Sequence, residues 1–356
     1  MSLLQLPPEI LIQIFDYVGS SYFRSDLSRF TVCKQWRKYA YTACFRDLYV
    51  TQKTLRRLLS SPYVELSLPL FKDYVETLDL YLKGFEDWDS ISLSRHDSWA
   101  VNVPDVTTWN GAHGRAERAS WTTELNNDLL HLATIIKQSR KLRSLRIQAT
   151  SELHPRFRLL ERRDYLFLST IRAFLSASSL TSLELDLCGT RLMTYQSQEH
   201  SEGFHVCTSI AALLTTLQRL RLRMRSICAS VLKPQQHSTI LRLNEMLINL
   251  SLSNESPLTT SAAHATCCGS STGGFLQLEA DMKKQAQVLV AQIAAPKIVR
   301  ILTHALPSTK IRAFDVLTGR NVTLSEGAEW DEDGEAIEDQ VSDEESEISD
   351  LSSDDD

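Results

Sequence analysis

The chain has 356 residues, 43% of them hydrophobic, enough for two or three domains and a substantial core. Its seven cysteines are odd in number and scattered, with no Cys-x-x-Cys; this argues against a disulfide framework and points to a reducing, intracellular compartment, cytoplasm and/or nucleus. The net charge of −6 conceals a division: 16 of the 44 acidic residues lie from Glu326 onward, leaving 28 against 38 basic residues in the body.

The first apolar stretch, "LPPEILIQIFDYV" (6–18), is no export signal. It lacks a basic leader and holds two prolines, Glu9 and Asp16. Pro7 and Pro8 suit the start of a helix, where no N–H is required, and Glu9 complements the positive end of the dipole. Ile10, Leu11, Ile14, Phe15 and Val18 then repeat at helical spacing and predict one wide apolar face. Ser25 or Asp26 can cap a second turn carrying Leu27 and Phe30, and "VCKQWRKYA" predicts a third helix with Val32, Trp36 and Ala40 on one side. Three such helices cannot stand alone and must lean on the rest of the chain or on a partner.

Taken together, Leu6, Pro7, Pro8, Ile10, Leu11, Ile14, Phe15, Leu27, Val32 and Trp36 resemble the F-box. In that family the motif docks the Skp-type adaptor of Skp–cullin–F-box ubiquitin ligases, so the resemblance implies these ten as the adaptor-binding set. The linking "GSSYFRS" is longer than usual for the family, and part of the set must be intramolecular core.

Past Tyr63 the chain repeats L-x-x-L-x-L: "VETLDL" (75–80), "LRSLRI" (142–147), "LTSLELDL" (180–187), "LQRLRLRM" (217–224) and "LINLSL" (247–252), with "IRAFDV" (311–316) as a weaker sixth. Each ends in period-2 alternation, the mark of a short strand with one buried face. "LLHLATIIKQS", "FLSTIRAFLSA", "CTSIAALLTT" and "IVRILTHAL" read as helices between them. The expected fold is therefore an α/β repeat: a three-helix F-box at 1–48, then an irregular leucine-rich-repeat-like solenoid of parallel strands with helix crossovers at 49–325. Insertions fall near 84–128 and 253–280, and 326–356 forms a disordered acidic tail. The rival is a doubly wound α/β domain, against which no Gly-rich phosphate loop follows any strand.

The residues between the inward leucines should face outward: Asp79, Arg146, Glu184, Arg221, Ser251 and Asp315. If the strands are in step, opposite charges alternate over the first four. Such a row is either lateral ion pairing or a polar docking surface for a target protein. "RLRLRMR" (219–225) is a single basic strand without aromatic stacking residues, which weighs against nucleic acid. Of the six tryptophans, Trp88, Trp99, Trp109 and Trp121 sit in 84–124, a segment expected to pack on the body. His200, His205 and Cys207 lack a fourth metal ligand, and no catalytic motif occurs.

The expectation is thus a substrate receptor and not an enzyme, fungal-type in family, with no cofactor, no metal and no membrane partner. Its partners are a Skp-type adaptor, through it a cullin–RING ligase, and an unidentified target protein. The alternatives are an F-box scaffold acting outside ubiquitination and an α/β enzyme. The acidic tail either keeps the protein soluble or screens Arg146, Arg219, Arg221 and Arg223 from other anions.

Overall fold

The computed structural model describes residues 6–60, 70–85, 112–150, 164–177, 179–194, 205–235, 240–252, 261–264, 274–304, 310–325 and 327–336. The chain opens with helix α1 (Pro8–Ser25), a 3₁₀ turn (Leu27–Phe30) and helix α2 (Lys34–Arg46). Pro8 occupies the first helical turn, and α1 breaks at Gly19, whose φ of 79° favours glycine. The unusually long link is thereby mostly helical, and its Phe23 is buried against Phe15 and Phe30.

No linker separates this unit from the body. Strand β1 (Asp47–Thr51) begins at the residue after α2, so the boundary expected at 48 falls inside a strand. Helix α3 (Gln52–Leu59) starts from a Thr51–Thr54 capping box. Thereafter strands and helices alternate: β2 (Thr77–Leu82), α4 (Ala112–Lys137), β3 (Ser144–Ala149), β4 (Leu166–Phe167), α5 (Leu168–Leu175), β5 (Ser182–Leu187) and β6 (Leu192–Met193). Next come α6 (Val206–Leu213), β7 (Arg219–Met224), β8 (Ser226–Ile227), a 3₁₀ turn (Ala229–Leu232), β9 (Glu245–Asn249), β10 (Ala263–His264) and α7 (Phe275–Val290). The described chain ends with β11 (Ile298–His304), β12 (Ile311–Asp315), β13 (Arg320–Leu324) and β14 (Glu335–Ala336).

The main sheet runs β1-β2-β3-β5-β7-β9-β11-β12-β13-β14. From β1 to β11 every pairing is parallel and follows chain order; β12, β13 and β14 are antiparallel additions at the far edge. The helices lie side by side in the same order, α3 against α4, α4 against α5, α5 against α6, with the second 3₁₀ turn between α6 and α7. Their buried side chains, among them Leu129, Ile136, Ile171, Phe174, Ile210 and Leu278, join the strand leucines in one core. The body is thus a mixed α/β unit wound in one direction, with all its described helices on one face. A doubly wound domain would instead reverse its strand order and cover both faces.

Four expectations are corrected. "IVRILTHAL" is not a helix: 298–304 is a strand buried over five consecutive positions. Apolar side chains cover it on both faces, which erases the alternation that identifies half-buried strands. In "LINLSL" the residue in step with Leu220 is Met246 and not Leu250, since β9 begins earlier than the leucine pattern implies. Both expected insertions overlap crossover helices, 112–137 and 275–290, and 311–316 is an antiparallel edge strand, not a sixth parallel repeat. Trp121 packs edge-on against Tyr165 and Phe85, while Trp88, Trp99 and Trp109 lie outside the described residues. No described helix is long and apolar enough to cross a membrane.

One buried polar residue ties the helix layer together. Asn126, fully buried on α4, donates to the carbonyls of Thr122 (2.7 Å) and Tyr165 (2.8 Å). Its Oδ1 accepts from the Phe167 N–H and the Thr170 hydroxyl, both at 2.8 Å. Replacement by alanine strands several buried groups without partners, each costing about 1–3 kcal/mol. Asn126→Ala should therefore lose about 3 kcal/mol or more in urea unfolding, far beyond Thr134→Ala on the exposed side of the same helix. Equal losses would show that the network contributes little.

Candidate functional site

Two surfaces combine unusual exposure with chemistry. The first is the N-terminal helical unit. Leu11, Phe15 and Phe23 of α1, Phe30, and Ala40, Ala43 and Cys44 of α2 form a small core of their own. Trp36 closes it, edge-on to Phe15 at 4.5 Å, with its indole N–H donating to the Arg29 carbonyl at 2.6 Å. Cys33 caps α2 by accepting from the Trp36 N–H at 3.3 Å. With that core filled, several apolar residues remain outside: Ile10 is 41% exposed, Val18 40% and Val32 60%. Ile10, half-buried Ile14 and Val18 recur every four residues and form one stripe along α1. A small domain does not gain by exposing such a stripe unless a partner covers it.

The unit is clamped to the body. Arg46, at the end of α2, reaches Asp16 (3.0 Å) on α1 and Glu76 (3.2 Å) beside β2. Arg24 donates to the carbonyls of Cys44 (2.7 Å) and Asp47, and Phe45 meets Phe71 edge-on at 6.0 Å. The helical unit and the sheet edge therefore share a hydrogen-bonded seam.

The second surface is the sheet face away from the helices. The register runs Tyr49, Asp79, Arg146, Glu184, Arg221, Leu247, Arg300, Asp315 across the strands. Opposite charges alternate from Asp79 to Arg221, neighbouring strands lying roughly 4.8 Å apart. Arg146 pairs with Glu184 at 3.0 Å, and Arg221 with Glu245 at 2.5 Å. One row on, Arg223 holds the largely buried Asp186 in a two-pronged pair at 2.8 and 2.6 Å. Beyond β7 the face turns apolar: Leu247, Leu302, Ala313 and Leu324 form a third core.

Residues 3–51 match the F-box-like family model. The chain carries an F-box-like domain. No curated protein matches it significantly. F-box domains bind the Skp-type adaptors of cullin–RING ligases, so this chain has the module for that role.

The structure sorts the residues the F-box resemblance brought together. Leu11 and Phe15 are core, and Trp36 packs over them; these serve the domain's own folding. Pro7, Pro8, Ile10 and Val32 are exposed, while Leu6 and Ile14 are half-buried at the margin. Of Leu27, which heads the 3₁₀ turn, the backbone alone is described. Ile12 and Val18 belong to the exposed apolar set too, and burial is what singles them out. On the sheet face, Asp79, Arg146, Glu184, Arg221 and Asp315 share one row. Ser251 does not: it lies past β9, is buried, and bridges Ser261. Leu247 takes its place because β9 pairs four residues earlier than the leucine repeat suggested, and Arg300 joins the row from the misread strand.

A second constellation was half visible in the sequence, where His205 and Cys207 stand two residues apart, and the fold adds the distant Cys228. His205, Cys207 and Cys228 bring three metal-type donor atoms within 4.8 Å of one another. Three N/S donors fall one short of a closed structural zinc site; His200 lies outside the described residues.

Burial pushes the carboxyls of Asp79 and Glu184 above their ordinary values, against the pull of Arg146 on both and of Arg221 on Glu184. A carboxyl that titrates higher in the folded chain contributes stability at low pH that is lost as pH rises through the raised value. Glu184→Gln removes this loss. Its stability relative to the unmodified chain should be higher at pH 7 than at pH 4. Thermal melts at both pH values check this, and a pH-independent difference would contradict it.

Proposed function

We propose that the chain is a substrate-recognition subunit of a Skp–cullin–F-box ubiquitin ligase. The observation that carries this reading is the F-box-like domain itself: its core is complete within the chain, yet an apolar stripe is left facing solvent. The exposed Pro7, Pro8, Ile10, Ile12, Val18 and Val32 are the surface offered to the adaptor. The body is an irregular leucine-rich-repeat-like array, supported by parallel strands in chain order and helices on one side. Its charged sheet face, carrying Asp79, Arg146, Glu184 and Arg221, holds the target. The lateral ion pairs support this role by keeping the charged side chains fixed before binding. The receptor performs no bond chemistry. It raises the effective concentration of target lysines near a ubiquitin-loaded enzyme held elsewhere in the assembly.

The test separates surface from core. Ile10→Glu combined with Val32→Glu should cut co-purification of a Skp-type adaptor at least tenfold, about 1.4 kcal/mol, and leave the melting temperature unchanged. Leu11→Arg should lose adaptor binding and stability together. Full adaptor recovery with the Ile10/Val32 double variant would refute the assignment of this surface.

A further inference from the structure

The first part of the acidic segment is not free of the body. Residues 327–336, expected to belong to a disordered tail, run back across the sheet face, and 337–356 lie outside the described residues. The strap leaves β13 through Gly327, whose φ of 79° suits a reversal. Ala328 and Trp330 then settle over the apolar patch of Leu247, Leu302, Ala313 and Leu324. The Trp330 ring also lies 5.3 Å from the Arg223 guanidinium. Asp331 accepts from Arg221 at 2.9 Å, the Glu332 carbonyl from Arg300 at 2.6 Å, and the Asp333 carboxylate lies 3.4 Å from the same guanidinium. Gly334 passes so close to β13 that a Cβ there would sit 2.5 Å from the Thr323 carbonyl oxygen. Glu335 and Ala336 then rejoin the sheet as β14. Beside the strap a cleft of about 480 Å³ remains open, with Arg146, Glu184 and Lys310 on its walls and Trp330 at its rim.

We propose that residues 328–333, Ala-Glu-Trp-Asp-Glu-Asp, occupy in cis the site where the sheet face takes its target, and that the target presents an extended segment with an aromatic residue followed by acidic ones. This rests on the reading that the sheet face holds the target. The occupant spells out the ligand class: an aromatic ring covers the apolar floor and fills a cation–π contact, and the next acidic residues reach Arg221 and Arg300. The strap is also replaceable. Its two carboxylate contacts to the arginines come from side chains that stay in water, Asp331 at 35% exposure and Asp333 fully exposed, and such pairs are individually weak. What favours it over a partner is the short tether, equivalent to an effective concentration on the order of millimolar. The strap therefore sets a threshold: a weak acidic segment is excluded, and one that also fills the open cleft displaces it.

The experiment uses the full chain without adaptor and a fluorescent synthetic peptide with the sequence of residues 326–336. Gly334→Ala drives β14 off β13, its added methyl meeting the Thr323 carbonyl and, at 3.1 Å, the Leu324 side chain at the edge of the apolar floor. The peptide should bind this variant at least tenfold more tightly than the unmodified chain. Adding Arg221→Glu should return binding to the weak level, and a peptide with alanine in place of Trp330 and Asp331 should not bind. Trp330→Ala with Asp331→Ala in the full chain opens the site by a second route and should give the same gain, so a misfolded glycine variant does not leave the question open. Equal peptide binding to the unmodified chain and both opened variants would overturn the proposal. So would binding insensitive to Arg221→Glu, or stronger competition by a single-stranded oligonucleotide than by unlabelled peptide. Adaptor co-purification measured on the same variants keeps the two readings apart: retained adaptor with no peptide binding defeats the strap proposal alone.

Discussion

The surface of this body follows from one constraint: its described helices lie on one face of the sheet. In a parallel sheet covered on both sides every strand can be a continuous apolar run, and water never meets the strands. Here β2 to β7 must satisfy a dry side and a wet side at once. They do so by alternation, with leucine inward and charge outward. Because the strands are in register, like charges would sit side by side if each strand were chosen independently. The order Asp79, Arg146, Glu184, Arg221 removes that conflict, and Asp186 with Arg223 repeats the solution one row on. The face is wettable without being repulsive, and its charged groups are held in place.

The far end of the sheet meets the same constraint differently. At β9 and β11 the outward positions include Leu247 and Leu302, which charge pairing cannot rescue. The chain supplies a lid from its own C-terminal segment, which explains why a run of acidic residues carries a lone tryptophan, Trp330, and two glycines. The tryptophan is the cover, and the glycines are the points where the backbone must turn or approach closely. The acidic residues between them are then the natural neighbours of Arg221 and Arg300 at the border between the charged and apolar halves.

How much of this was legible before the structure depends on whether the determinant is local. The α1 helix, the leucine strands and the charge row from Asp79 to Arg221 announce themselves by spacing of two or four residues. The F-box resemblance was equally local, with its leucine–proline start, Ile14-Phe15 and Trp36 in order. What failed was whatever depends on a distant cover. β11 reads as a helix because strands buried on both faces have no period to detect. Ser251 was placed in the row because leucine spacing alone chose Leu250 as the partner of Leu220, where hydrogen-bonded pairing chooses Met246. The strap was hidden by composition, since acidic and glycine-rich sequence matches disorder unless one knows what lies beneath it. No spacing rule could separate Leu11 and Phe15, which fold the domain, from Ile10 and Val32, which face out of it; only packing decides that.

The junction at Arg46 and Asp47 has a mechanical meaning. A helix that becomes a sheet edge within one peptide bond, braced on both sides by Arg46 and Arg24, leaves no hinge between the two surfaces. A partner gripping α1 and a partner lying on the sheet would be held at one fixed angle and spacing, like work on a jig. For a receptor of the kind proposed, selection between targets would then operate twice: once by what the face binds, and once by which of the bound protein's lysines happen to point the right way. Two proteins with the same recognition segment but different lysine positions would be sorted by geometry alone, with no difference in affinity.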